Sequence, residues 1–260
     1  MNLIICTTPL QTLLAKEIVK NYEDAKFYGI LFSNHFSEKV DRYFNLFGVL
    51  CHVLNKIYCK SLIRLVCLIL YYKIKFFNKK FDKIFVANIE NILIQSIISS
   101  LKFNELITFD DGTANILKNS MLYQNNESWK LKFIKFIFMI DHDINTLKNI
   151  SSLHYTIYDM DNIIRISIFN FNNSGDNVLT GVLKICLGQR LYNDDAKNVD
   201  LFKKIIDKYN IDYYLPHPKE SFVVDGVKYY NSDLIFEDII SNELNNYKEI
   251  YVYTIYSSAI

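Results

Sequence analysis

An α/β chain of two Rossmann-like lobes facing a cleft is the fold class the sequence predicts, on three observations. Short apolar runs alternate with amphipathic helical stretches through residues 1–169, the pattern of βαβ units around a parallel sheet covered on both faces. A polar cluster, Asn170-Phe-Asn-Asn-Ser-Gly-Asp-Asn177, has the composition of a linker. A second strand–helix series follows over residues 178–260, a short span for a lobe of this kind. Half of the 260 residues are hydrophobic and 22% are charged, the balance of a folded chain.

In order, Asn2–Cys6 reads as a strand that ends at Thr7-Thr8-Pro9. A helix over about Leu10–Asn21 follows, with Leu10, Leu13, Leu14 and Ile18 on one face. Phe27–Phe32 is the next strand and Ser37 starts the next helical stretch. Lys83–Ala87 is a strand followed by a helix ending near Leu101, and Leu106–Phe109 runs into Asp110-Asp111-Gly112. In the second series Val182–Leu187, Ile211–Leu215 and Glu249–Tyr256 read as strands, with helices over about Val199–Tyr209 and Leu234–Leu244. Ligands of parallel sheets bind at the carboxyl ends of the strands, where Thr7-Thr8 and Asp110-Asp111 should lie.

The 29 Lys and Arg against 28 Asp and Glu leave a net charge of +1, which excludes a generally basic nucleic-acid binder. The longest uncharged run, Met1–Ala15, is broken by Thr7-Thr8-Pro9, and no stretch has the ~18 apolar residues of a membrane span. No basic segment precedes the first apolar run, so no secretory signal is read and a cytoplasmic location is expected. Five cysteines without a Cys-x-x-Cys pair read as reduced thiols, mostly in apolar surroundings. Charge is unevenly divided: residues 1–150 carry 19 basic and 13 acidic side chains, residues 151–260 carry 10 and 15. Lys56–Lys80 holds seven basic residues and no acid around the apolar Leu65–Tyr72, and Trp129–Met139 carries Lys130, Lys132 and Lys135. Such segments are either packed helices with solvated lysines or peripheral contacts with an anionic membrane surface.

Carboxylate pairs and one histidine are the chemically suggestive features. Asp110-Asp111-Gly112 falls in a βα loop, where Gly112 permits a sharp turn; turn chemistry alone also explains the triplet. No His or Cys accompanies it at ligand spacing, and no metal is assigned. Pro216-His217-Pro218 follows a strand, and the flanking prolines restrict the backbone around His217. An imidazole titrates near neutrality and in its cationic form stabilises a departing phosphate; an exposed structural turn is the alternative. Gly188-Gln189 ends a strand, and Asn193-Asp194-Asp195 follows. A carboxylate there serves either as general base or as a helix cap. Ser257-Ser258 offers hydroxyl donors past the last strand.

Several segments together resemble the bacterial sialyltransferases of glycosyltransferase family 52. They are Asn2-Leu-Ile-Ile-Cys-Thr-Thr-Pro-Leu-Gln11, Thr108-Phe-Asp-Asp-Gly-Thr-Ala-Asn115, His154-Tyr-Thr-Ile157 and Lys184-Ile-Cys-Leu-Gly188. Further on come Tyr214-Leu-Pro-His-Pro218, Gly226-Val227 with Asn231-Ser232, and Glu249-Ile-Tyr-Val-Tyr-Thr254, all in the family's order. The resemblance implies a GT-B-like fold, with residues 1–169 on the acceptor side and residues 178–260 on the nucleotide-sugar side. It implies inverting transfer of sialic acid from CMP-sialic acid to a terminal galactose of a lipooligosaccharide-type bacterial surface glycan. No metal and no cofactor are implied. On this resemblance His217 is the group at the CMP phosphate and the base is Asp194 or Asp195. Asp110, Asp111 and Gly112, with Gln11, shape the acceptor side or position the base. Gly188 lies on the substrate side, and Ser257 and Ser258 bind the phosphate, Ser257 being the firmer match.

The resemblance further implies a homodimer; peripheral contact with the inner face of the cytoplasmic membrane would rest instead on the basic stretch Lys56–Lys80. Relatives continue beyond the last motif, so a short or truncated second lobe with exposed apolar surface is the expectation. Two competing readings stand beside the leading one: a transferase of another nucleotide sugar on the same fold, and an inactive, truncated sugar-nucleotide-binding relative.

Overall fold

In the computed structural model the described residues are 1–34, 37–112, 116–117, 120, 122–123, 127–158, 166–168, 180–217 and 220–255. They fall into two compact units, Met1–Asn170 and Phe171–Ile260.

The first unit is built on strands β1 (Asn2–Cys6), β2 (Phe27–Ser33), β3 (Val53–Tyr58), β4 (Lys80–Val86), β5 (Lys102–Phe109), β6 (Ser151–Thr156) and β7 (Ile166–Ile168). Their order is β3-β2-β1-β4-β5-β6-β7, with every neighbouring pair parallel. Helices α1 (Pro9–Lys20), α2 (Glu38–Gly48), α3 (Leu62–Phe76), α4 (Ile92–Ile98), α5 (Trp129–Ile137) and α6 (Ile144–Ile150) complete the unit. Each starts where a short polar side chain takes up an otherwise orphaned backbone N–H: Thr8, Ser37, Ser61, Asn91, Ser128 and Asp143 in turn.

Alternation along the strands sorts side chains to two cores, which is why the strands read as continuous apolar runs. Leu3, Ile5, Ile30, Ile84 and Val86 pack with Ile69 and Phe76 of α3 and Leu93 and Ile97 of α4. Ile4, Cys6, Leu31, Phe85 and Phe109 pack with Leu14 and Ile18 of α1 and Phe44 and Phe47 of α2. The strand order reverses between β1 and β4, so the loops leaving these strands open a crevice at the carboxyl edge.

Two strands of this sheet lack the apolar signature that reveals the others. β3 lies beside β2 alone and carries half-exposed Asn55 and Lys56 on its two opposite faces. β6 holds Ser151, Ser152, His154 and Thr156, whose polar groups are matched by partners in the fold. The two basic stretches form helices that pack only in part, with Lys130 and Lys132 exposed. α3 buries Ile69, Tyr72 and Phe76 but leaves Ile63 79% and Ile74 80% exposed. α5 inverts the expected pattern: Lys135 is buried against Glu127, while Trp129 and Phe136 are 74% and 81% exposed. The Lys73 ammonium donates to the Met139 carbonyl (2.9 Å), joining α3 to the end of α5. No helix among the described residues is long and apolar enough to cross a membrane.

The second unit has strands β8 (Val182–Leu187), β9 (Tyr213–Leu215) and β10 (Glu249–Tyr253) with helices α7 (Asp195–Tyr209) and α8 (Phe236–Glu243). The strands are parallel in the order β10-β8-β9. One small core joins Cys186, Phe202, Tyr214 and Val224, another Leu183, Ile185 and Leu187. An apolar groove of about 770 Å³ runs between α7, α8 and β10, lined by Phe202, Ile205, Phe236, Ile240 and Val252. α7 begins four residues before the Val199 expected from periodicity. Its first turn is polar, yet it is held by the Asp194 cap and by Asn198, whose side-chain oxygen accepts the Leu191 and Tyr192 N–H groups. The 170–177 linker lies outside the described residues. All five cysteines are free thiols, with Cys67 exposed.

Candidate active site

Polar groups of the first unit gather at the crevice where the strand order reverses. Thr8 caps α1 with Pro9 at its start, which delivers Gln11 to the first turn of the helix. Gln11 is fully buried; its side-chain oxygen accepts the Thr7 N–H (2.5 Å) and hydroxyl (3.1 Å), and its amide donates to Asp111 Oδ1 (2.5 Å). One residue thereby ties the end of β1 to the end of β5. Burial, with the Asp110 charge adding to it, pushes the Asp111 carboxyl above its ordinary range, although the Gln11 hydrogen bond pulls the other way. Glu90, in the loop between β4 and α4, is raised by burial and by the Asp111 charge. In the same loop Asn88 Oδ1 is enclosed without a hydrogen-bond partner. Gly112 sits at φ +65°, a backbone conformation that a side chain disfavours.

Asp110 differs from its neighbour. It is fully buried; Oδ1 meets His154 Nε2 at 3.0 Å and Oδ2 accepts the Ile157 N–H at 2.8 Å. His154 Nδ1 lies 2.8 Å from the Thr108 hydroxyl. Asp110 therefore clamps β5 to β6 and presents Asp111 to the crevice. The conspicuous signal for this clamp in the sequence is the His154-Tyr-Thr-Ile157 segment; composition gives no reason to pair it with Asp110.

In the second unit the polar groups lie at the carboxyl ends of β8 and β9. The Gly188 N–H donates to the Leu215 carbonyl (2.8 Å), holding the two strand ends together. Asp194 caps α7: its carboxylate accepts the Ala196 N–H (3.0 Å). Asp195 lies in the first helical turn. Its Oδ2 accepts the Ser221 hydroxyl (2.9 Å), whereas Oδ1 accepts no hydrogen bond and has the Arg190 guanidinium 3.8 Å away. His217 is exposed on the loop that leaves β9. Ser221, on the same loop, bridges it to Asp195.

Glu220 is the residue that sequence reasoning missed. Its Oε1 accepts the His217 N–H (3.0 Å), its Oε2 accepts the Tyr214 hydroxyl (3.0 Å), and its own N–H donates to the His217 carbonyl (2.9 Å). Burial pushes its carboxyl above the ordinary range, although those two donors pull the other way. Ser257 and Ser258 lie outside the described residues, as do Thr113–Asn115 and Pro218. Among the described residues no three His, Cys, Asp or Glu side chains are grouped as metal ligands.

A doubly wound parallel sheet with polar groups at its switch point, joined in sequence to a second α/β unit with its own polar strand ends, defines a Rossmann-like α/β protein. The chain belongs to glycosyltransferase family 52, whose profile matches residues 24–260. It is 39% identical, over all of this chain and 86% of the relative, to a CMP-N-acetylneuraminate:beta-galactoside alpha-2,3-sialyltransferase of Pasteurella multocida (strain Pm70). It is 35% identical, over 99% of this chain and 86% of the relative, to an N-acetyllactosaminide alpha-2,3-sialyltransferase of Haemophilus influenzae (strain ATCC 51907 / DSM 11121 / KW20 / Rd). A Neisseria meningitidis protein of the same description (serogroup A / serotype 4A, strain DSM 15465 / Z2491) is 29% identical over all of this chain and 74% of its own length.

Proposed function

We propose that this protein transfers sialic acid from CMP-sialic acid to the 3-hydroxyl of a terminal galactose on a bacterial surface glycan, with inversion. The observation that carries the reading is full-length similarity to alpha-2,3-sialyltransferases, combined in the second unit with a carboxylate at the start of α7 that is bonded to the loop carrying His217. In the reaction the acceptor oxygen attacks the anomeric carbon from the face opposite CMP. The bond from that carbon to the phosphate oxygen breaks, and its electron pair leaves with CMP. The proton of the acceptor hydroxyl passes to the carboxylate of Asp195, in the first turn of α7. Asp194 is the weaker candidate because its carboxylate is engaged in capping α7. The His217 imidazole meets the charge that builds on the departing phosphate, joined there by Ser257 and Ser258. The second unit thus takes the nucleotide sugar. The switch-point crevice of the first unit, with Gln11, Glu90 and Asp111, takes the acceptor sugar.

The same reading places the first unit on the inner face of the cytoplasmic membrane. α3 and α5 expose Ile63, Ile74, Trp129 and Phe136 beside the lysines of Lys56–Lys80, a combination suited to an anionic lipid surface. Co-sedimentation with vesicles should need anionic lipid and weaken with salt; binding unaffected by Ile74→Ser with Phe136→Ser would remove α3 and α5 as the contact.

The functional test is CMP release from CMP-sialic acid with and without a lactose-type acceptor. Acceptor-dependent release that is lost in His217→Ala supports the reading. Protection of the fold by UDP or GDP rather than CMP would redirect it to another donor.

A further inference from the structure

The His217 loop is held by one half-buried carboxylate, and the room for that carboxylate exists because residue 188 is glycine. Glu220 brackets the His217 peptide from both sides, accepting its N–H and donating to its carbonyl. Its other oxygen takes the hydroxyl of Tyr214, a fully buried side chain. Tyr214 is itself fixed by backbone hydrogen bonds to Lys228 and Tyr230. The carboxylate rests against Gly188, where a Cβ would lie 2.1 Å from Glu220 Oε1 and 2.4 Å from the Tyr214 hydroxyl. The next residue, Ser221, donates to Asp195.

The geometry points to Glu220 as a positioning residue for transfer: it sets the His217 backbone on β9 through Tyr214 and Gly188, and through Ser221 it ties that loop to Asp195. The inference rests on the reading of His217 as the group at the CMP phosphate. It gives Gly188 a different part from substrate contact, namely space for the Glu220 carboxylate. Glu220 does not touch substrate; it acts by holding an imidazole within the tolerance that leaving-group stabilisation demands. A displacement of about 1 Å in such a group costs on the order of 10²-fold in rate.

The test is a cycle on the full chain: Glu220→Ala, Glu220→Gln, His217→Ala and the Glu220→Ala/His217→Ala pair, with kcat and KM for donor and acceptor and a thermal unfolding midpoint for each. Glu220→Ala should lower kcat about 10²-fold and leave the acceptor KM unchanged. Glu220→Gln should restore most of the rate, because its amide oxygen still accepts the His217 N–H while its NH2 faces the Tyr214 oxygen. In the His217→Ala background Glu220→Ala should cost nothing further. Loss factors that multiply across the pair, or a Gln variant no better than Ala at equal stability, would overturn the positioning role. A His217→Ala enzyme with full activity would remove the reading of His217 instead. Should Glu220→Ala not fold, Tyr214→Phe removes the support of Oε2 alone. It should lower kcat with the same dependence on His217, and an unchanged kcat would overturn the inference.

Discussion

Substituting Gly188 by alanine places one methyl group where the second unit has no room. The new Cβ would stand 2.1 Å from Glu220 Oε1, 2.4 Å from the Tyr214 hydroxyl and 2.8 Å from Glu220 Cδ. Tyr214 cannot retreat, since its ring is buried against Phe202 and its backbone is bonded to Lys228 and Tyr230. Glu220 must therefore swing away and give up one or both of the hydrogen bonds its carboxylate accepts. Overpacking costs about 1–3 kcal/mol and each lost bond about 0.5–1.5 kcal/mol, so a destabilisation of roughly 2–5 kcal/mol is expected. At about 2–4 °C per kcal/mol for a chain of this size, the midpoint should fall by roughly 5–15 °C. Thermal unfolding followed by tyrosine fluorescence reads this directly, and two transitions are to be expected if the units unfold separately. Adding Glu220→Ala removes two of the three close atoms. The pair should then be less destabilised than the sum of its members, by about 0.5–3 kcal/mol. A Gly188→Ala midpoint within a degree of the parent would refute the account of why residue 188 is glycine.

Three further outcomes follow from the same geometry. Asp194→Ala should lose about 1 kcal/mol of stability with its cap yet keep turnover, whereas Asp195→Asn should fold normally and lose turnover in the CMP-release assay. Asp111 has its carboxyl raised in the folded state, mainly by burial. The folded protein thus holds that proton more tightly than the unfolded chain, a contribution to stability present below the unfolded pKa and lost as pH rises through the folded one. Asp111→Asn should accordingly gain stability relative to the parent between about pH 4 and pH 7, and denaturant titrations showing no such trend would contradict the burial. Asp110→Ala removes the carboxylate that meets His154 Nε2 and the Ile157 N–H. At about 1–3 kcal/mol for each buried group left unpaired, it should be the most damaging single change in the first unit, read as a fall in the urea midpoint.

What the sequence discloses depends on whether the chemistry of an element resides in its own residues or in what packs on it. β1 and β2 bury both faces throughout, and β4 and β8 do so over their last three residues, so their apolar runs announce them, and β8 spans Val182–Leu187 as expected. β6 is only partly buried and satisfies polar side chains with distant partners, so Ser151, Ser152, His154 and Thr156 resemble a loop until Asp110 and Thr108 are beside them. The start of α7 shows the limit for the site. Asp194-Asp195 is a pair of like residues, and counting along the chain cannot separate them. Which one is engaged is decided by backbone geometry: Asp194, with φ −91° and ψ 112°, is the non-helical cap, and Asp195 is the first helical residue. A side chain at the cap position folds back on the helix N–H groups, whereas the next one projects from the first turn. The same step that hides the helix boundary from periodicity therefore also separates the two carboxylates: Asp194 caps the helix, and Asp195 meets Ser221 and Arg190. Glu220 was invisible for a related reason. A glutamate after Pro-His-Pro-Lys reads as a solvated charge, and only a glycine 32 positions earlier, brought alongside by the β8–β9 pairing, makes it a half-buried support.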